Sequence, residues 1–210
     1  MTRWATFDCY GTLIDWDGGT RAALRDVFGD DAAFDRYHEL EREIQREEPG
    51  LSYRGVATEA MRRLGASDAD APRLPDSLPS WRPFPEVPQS LDEVRAHGWK
   101  TAILSNSDPP QIEASKARIG VPFDETVVAG AIGSYKPAHR HWEEFWSRTG
   151  ADRARHVHVG ASIYHDAEPA RELGLPFVWI NRVGESSELP TRELRDLSGL
   201  AAVLDELVPA

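Results

Sequence analysis

Residues 4–15 read Trp4-Ala5-Thr6-Phe7-Asp8-Cys9-Tyr10-Gly11-Thr12-Leu13-Ile14-Asp15. An apolar run ends abruptly at a carboxylate, and a glycine and a threonine follow within four residues. The run has the length and composition of a buried strand, which puts Asp8 at its carboxyl end. In an open α/β sheet that end is where ligands bind. Gly11 lets the chain turn there and brings backbone N–H groups close to whatever Asp8 binds. A carboxylate held in this way can act as a nucleophile and form an ester. The plainer alternative is that Asp8 only caps a turn.

Working outward, helical spacing predicts three helices with no strand between them. One covers residues 20–28, with Ala23, Leu24, Val27 and Phe28 on one stripe. A charged second carries Phe34, Tyr37, Leu40, Glu41 and Ile44 and breaks at Pro49-Gly50. A third carries Val56, Ala60, Met61 and Leu64 and ends at Gly65. Residues 67–88 hold six prolines, which excludes a continuous helix or a central strand. This stretch reads as a stiff, partly extended return linker, pinned by Trp81 and Phe84. A helix over 90–97 follows. Strand and helix then alternate, with strands at 100–104, 125–129, 156–159 and 176–180. The intervening helices begin at Pro109-Pro110 and cover 138–149 and 166–173, and a last helix spans 200–208. Such alternation implies a parallel sheet with right-handed crossovers. All its polar strand ends then lie on one edge: Asp8, Ser105-Asn106, and Ser162 to Asp166.

The motifs arrive in a known order. Phe7-Asp8 with Tyr10-Gly11-Thr12-Leu13 resembles the first motif of the haloacid dehalogenase (HAD) superfamily. Leu104-Ser105-Asn106-Ser107, then Tyr135-Lys136-Pro137, then Val159-Gly160-Ala161-Ser162 with Asp166 resemble the later ones. The resemblance implies an α/β fold: a Rossmann-like parallel core from residues 1–17 and 86–210. Residues 18–85 would then form a helical cap with its proline-rich return linker, inserted after the first strand. Most superfamily members are phosphatases with a second Asp two residues after the nucleophile. Tyr10 stands there, and that variant resembles the 2-haloacid dehalogenase branch.

What the resemblance implies for function is hydrolysis of a small 2-haloacid through an aspartyl ester on Asp8. Thr12 would bond the Asp8 carboxylate or its backbone neighbours, or else bond locally as a turn hydroxyl. Ser105 and nearby amides would hold the substrate carboxylate and Asn106 the leaving group; a helix cap is the local alternative. Lys136 would offset the charge of Asp8 and keep it ionised at neutral pH. Asp166 would fix Lys136 and position water, or simply complement a helix dipole. Tyr10 and Ser162 complete the substrate-binding set, with His165 as a base for the water or as a partly exposed helix-start residue. In the cap, His38 stands where the branch carries Arg, and Arg42 or Arg46 lies one or two turns along. Ala161 and Ile163 replace a Ser and an Asn of the branch. A phosphatase without its usual acid and a non-catalytic binding protein that keeps the fold are the competing readings.

Composition bounds the rest. The 210 residues are 40% hydrophobic and 28% charged, as in an ordinary globular protein. The net charge of -11 argues against non-specific nucleic-acid binding. No apolar run approaches membrane-spanning length. Met1-Thr2-Arg3-Trp4 runs straight into the first strand, so no signal peptide is expected. Cys9 is the single cysteine, which predicts no intrachain disulfide and a reducing, cytoplasmic setting. No cofactor and no metal are expected. His139 and His141 should face different ways, and His156 and His158 share a strand face without an evident third ligand. The expected partner is a small-molecule substrate, and the resemblance adds a homodimer.

Overall fold

Arg3–Phe7 (β1) is buried at every position, as befits a strand with both faces covered. The computed structural model describes residues 2–210. After β1 the chain forms α1 (Trp16–Phe28), α2 (Phe34–Glu47) and α3 (Tyr53–Arg63). α1 begins before the apolar stripe does, because the Asp15 carboxylate accepts from Gly18 N at 2.9 Å and caps it. Gly29, at φ 89°, closes it in the left-handed region.

The proline-rich stretch is more helical than expected. It contains α4 (Arg73–Ser77) and a 3₁₀ turn at Leu78–Ser80. Pro72 precedes α4, Pro75 falls in its first turn, and Pro79 falls in the 3₁₀ turn. No intrahelical N–H is needed at those places, so short helices survive where a long one cannot. Trp81 is buried. Around it the two connections between these helices and the sheet run side by side: Asp15 N donates to Arg82 O at 3.0 Å and Phe84 N donates to Leu13 O at 3.0 Å.

Next come α5 (Val87–Ala96), β2 (Trp99–Ser105), α6 (Pro109–Ile119), β3 (Glu125–Val128), the short α7 (Ala129–Ile132) and α8 (Arg140–Thr149). β4 (His156–Gly160), α9 (Glu168–Glu172), β5 (Phe177–Ile180), β6 (Arg192–Leu194) and α10 (Leu200–Leu207) complete the chain. The helix expected over 166–173 is shortened. A single π-helical turn, Ile163–Ala167, takes its start.

The sheet order is β3-β2-β1-β4-β5-β6, and every pairing is parallel. Strand order therefore reverses between β1 and β4, the place where a cleft opens at the carboxyl edge of such sheets. Alternation along the strands builds two apolar layers. Ala5, Phe7, Val157 and Val159 face one; Trp4, Ala102, Leu104 and Trp142 belong to the other. The first layer also takes in Leu24, Tyr37, Leu40, Val56 and Met61 from α1–α3. The inserted helices and the sheet thus share one hydrophobic core.

A polar tie also spans them. The Asp108 carboxylate, in front of α6, accepts from Tyr53 N at 3.0 Å and Arg54 N at 2.9 Å. Asp108→Ala leaves both first-turn donors of α3 without a partner. Loss of buried hydrogen bonds of this kind should lower unfolding free energy by about 2 kcal/mol. Urea denaturation should show a lower midpoint at unchanged slope; an unaltered midpoint would contradict this account of the tie.

Candidate active site

Asp8 follows β1 directly, and its N–H donates to Val159 O of β4 at 2.9 Å. The chain then turns through Gly11, whose φ of +89° is left-handed and suits glycine. The turn brings Thr12 back under the carboxylate. Its hydroxyl donates to Asp8 Oδ2 at 2.9 Å and accepts from Ala161 N at 2.9 Å. Thr12 thus ties the β1 and β4 ends together.

Lys136 arrives from beyond α7 and is 1% exposed. Its Nζ donates to Asp8 Oδ1 at 2.9 Å and to Asp166 Oδ1 at 2.6 Å. Asn106 fixes the lysine backbone. Lys136 N donates to Asn106 Oδ1 at 2.6 Å, and Asn106 Nδ2 donates to Lys136 O at 3.0 Å. Asn106 lines the cleft as well, and its amide nitrogen keeps a second N–H beyond the one given to Lys136 O. Asp166 is fully buried and also accepts from Ser162 N at 3.2 Å through Oδ2. A Cβ added to Gly160 would lie 2.7 Å from Asp166 Cγ, so only glycine admits this approach.

Three charges share this buried space. Burial pushes the Asp8 carboxyl above its ordinary value of 3.8, against the pull of Lys136. Lys136 acts in the expected direction, toward the ionised carboxylate, but burial is the larger influence. Lys136 is divided between two carboxylates and makes its shorter bond to Asp166. Burial also acts on Asp166, but Lys136 and His158 outweigh it and hold this carboxyl well below the usual range. Lys136 stays charged. Burial works against its ammonium, and the two carboxylates more than compensate.

These groups open into a cleft of about 770 Å³ between the sheet edge and the inserted helices. On the sheet side it is lined by Asp8, Tyr10, Ser105, Asn106 and Ser162. Among the described residues the buried Ser105 hydroxyl has no hydrogen-bond partner, which suits it to hold a ligand. The Tyr10 hydroxyl is taken up by Ser115 at 3.0 Å, so its ring is what it presents as a wall. His165 is half-buried, with Nδ1 on Ser162 Oγ at 3.1 Å and Nε2 unpartnered. Burial lowers its pKa to about 3, which leaves a neutral imidazole.

On the helical side the lining includes Trp16, His38, Glu41 and Arg42. His38 packs at a tilt of 52° against Trp16 with centroids 5.1 Å apart, and burial beside Arg42 lowers it to about 4. Arg42 Nε donates to His38 O at 3.4 Å. Arg46 does not belong here. It is exposed and outside the cleft, one turn too far along α2. Two lining residues escaped the sequence reading. Glu41 accepts from Tyr53 Oη at 2.5 Å, and burial raises it to about 7. Its signal was a carboxylate on the apolar stripe of α2. Arg182, just after β5, donates to Thr12 O at 2.8 Å and to Glu86 at 2.7 Å.

The donor set does not fit a magnesium ion. Such an ion wants several oxygen ligands in octahedral array. Ala161 offers no side-chain oxygen, and the two carboxylates already share an ammonium. Among the described residues, no group of three or more His, Cys, Asp or Glu is arranged to hold a metal.

Comparison with known proteins gives a consistent picture. A family model described as haloacid dehalogenase-like hydrolase matches residues 2–174. An (S)-2-haloacid dehalogenase of Pseudomonas sp. (strain YL) is 32% identical, over 95% of this chain and 93% of its own. The (S)-2-haloacid dehalogenase H-109 of Pseudomonas putida is 28% identical, over 93% and 94%. In fold, the chain resembles the L-2-haloacid dehalogenase of Xanthobacter autotrophicus with chloropropionic acid covalently bound. The TM-score is 0.79 over 97% of this chain and 98% of that one, at 19% identity.

The electrostatics can be read without a substrate. Carbon-detected NMR titration should show Asp8 losing its proton above 3.8 and Asp166 below it. Lys136→Met should move both upward, because each carboxylate loses its cation. An Asp8 that titrates below 3.8 in the parent protein would overturn this order.

Proposed function

The chain belongs to the haloacid dehalogenase-like hydrolases, and we propose that within this family it hydrolyses the carbon–halogen bond of a small 2-haloacid through an ester on Asp8. The observation that carries the reading is the Lys136 ammonium between Asp8 and Asp166, at 2.9 and 2.6 Å. It supplies positive charge beside the nucleophile where a metal-dependent relative would need an ion. A halide leaves without a proton, so Tyr10 at the usual acid position is no handicap.

The steps follow from the geometry. The substrate carboxylate sits on the unpartnered Ser105 hydroxyl, which donates to it. Asp8, oriented by Thr12 and Lys136, attacks C2 in line with the halogen. The C–O bond forms, the carbon–halogen pair leaves with the halide, and an ester remains. Water then attacks the ester carbonyl of Asp8. His165 is neutral and so is available to take the proton of this water. Collapse of the adduct breaks the ester C–O bond, the departing alkoxide takes the proton back from His165 to give the 2-hydroxyacid, and Asp8 is restored with an oxygen from water. Asp166 holds Lys136 and faces the water. Asn106 serves by fixing the Lys136 backbone, and Ser162 by holding His165.

In this reading residues 18–85 act as the cap over a core of residues 1–17 and 86–210. His38 and Arg42 give it the polar face that meets the substrate. One buried cysteine, Cys9, suits a reducing cytoplasm.

Asp8→Asn should abolish turnover with the fold intact, because the amide is isosteric and far less nucleophilic. A single turnover of parent protein in ¹⁸O-water should label the Asp8 carboxylate. Label found directly in product, with Asp8 unlabelled, would mean that water attacks the substrate without an ester.

Initial rates on short haloacids should persist in EDTA and should not rise with added magnesium. The same assay with an aryl phosphate should release no phosphate. Magnesium-dependent phosphate release without halide release would replace this reading by a phosphatase.

A further inference from the structure

Behind the reacting edge, the second apolar layer buries four polar side chains to which the mechanism gives no role: Trp146, His156, Thr6 and His158. We propose that they form a one-way hydrogen-bond relay ending on Asp166, and that His158 is thereby a positioning residue for that carboxylate. The use of Asp166 in catalysis rests on the functional reading above; the direction of the relay does not.

The direction follows from what each group can donate. A tryptophan indole N–H only donates. Trp146 Nε1 lies 3.0 Å from His156 Nδ1, so that nitrogen carries a lone pair. Burial lowers His156 to about 3, so the ring is neutral and its one proton is on Nε2. Nε2 lies 2.7 Å from Thr6 Oγ1, which must accept. The Thr6 hydroxyl has its own proton to place, and His158 Nδ1 is 2.8 Å away. That nitrogen is therefore also bare. The His158 proton is on Nε2, 3.3 Å from Asp166 Oδ1. Each assignment forces the next.

The opposite arrangement fails on two counts. A neutral His158 protonated at Nδ1 would turn a lone pair toward the Asp166 carboxylate. An imidazolium at His158 would leave the Thr6 hydroxyl proton without an acceptor. Among the described residues the Thr6 hydroxyl reaches only the two imidazoles, His156 and His158, so no substitute acceptor is present. A second cation would also approach the same oxygen that Lys136 Nζ already reaches at 2.6 Å.

The chemical consequence is a neutral donor. Asp166 Oδ1 accepts from Lys136 and His158, and Oδ2 from Ser162 N. The carboxylate is fixed by three donors while only one of them is charged. Lys136 thus remains shared with Asp8 instead of being displaced from Asp166 by a second cation.

The test has two arms. In protein carrying ¹⁵N-labelled histidine, His156 and His158 should both appear at neutral pH as neutral Nε2–H tautomers. Trp146→Phe should release His156 into a mixture of tautomers. An imidazolium or an Nδ1–H tautomer at His158 overturns the relay. This arm needs no substrate, so its failure is separate from that of the proposed reaction. In the kinetic arm, His158→Leu should lower kcat for halide release about tenfold with KM little changed, the loss of one hydrogen bond to a charged group. His158→Gln keeps a donor near the Nε2 position and should recover most of that loss. If the Leu variant does not fold, Thr6→Val against Thr6→Ser asks the same question one link away, with Ser expected to restore the rate. A conservative variant no better than the disruptive one overturns the positioning role.

Discussion

One buried ammonium holds this site together. Lys136 Nζ sits within 3 Å of two carboxylates that otherwise could not share so little space. Two like charges in a dry pocket would drive one proton back on. The cation between them keeps both available, and the surrounding design follows from that need. Asn106 clamps the lysine backbone, and the two carboxylates hold the ammonium at its far end. Gly160 leaves a space that any Cβ would fill, and Asp166 occupies it. Thr12 couples Asp8 to the β4 end, so both carboxylates move as parts of one frame. Breaking a buried pair by removing one partner generally costs about 3–5 kcal/mol, because the remaining charge stays buried. Lys136 is therefore structural and chemical at once.

The arrangement also divides labour between the carboxylates. Asp166 is stripped of basicity by the donors around it, whereas Asp8 keeps a carboxyl raised by burial. A more basic carboxylate is the better nucleophile, and a less basic one the better fixed counter-ion. Two identical side chains take different duties from their surroundings alone.

Much of this was legible in the chain itself. β1, β2 and β4 announce themselves as apolar runs ending in polar residues, and parallel pairing then brings Asp8, Ser105 and Asp166 to one edge. Lys136 was found by the order of motifs, since a lone loop lysine has no local signature. What escaped was either short or long-range. β6 is three residues of mainly exposed edge strand and has no apolar pattern to read. The prolines of residues 67–88 exclude one continuous helix, but Pro72, Pro75 and Pro79 stand at the starts of short ones, where proline is harmless. Glu41 was visible as an acid on an apolar face, yet its place in the cleft depends on how α2 packs. The pairing of the Asn106 amide with the backbone of Lys136, thirty residues away, also has no signal in the local sequence. The relay from Trp146 needs four side chains from three separate segments, and spacing along the chain cannot reveal it.

The two connections that leave and re-enter the sheet lie side by side, bonded from Asp15 to Arg82 and from Phe84 to Leu13. The segment from α1 to the 3₁₀ turn is thus joined to the sheet at its two ends by one narrow ladder, in addition to the core that it shares with the sheet. The Asp108 grip on the first turn of α3 is a second tie, separate from that ladder. The helical wall of the cleft is therefore held at two places outside the reacting centre, and neither uses Asp8, Asp166 or their shared ammonium.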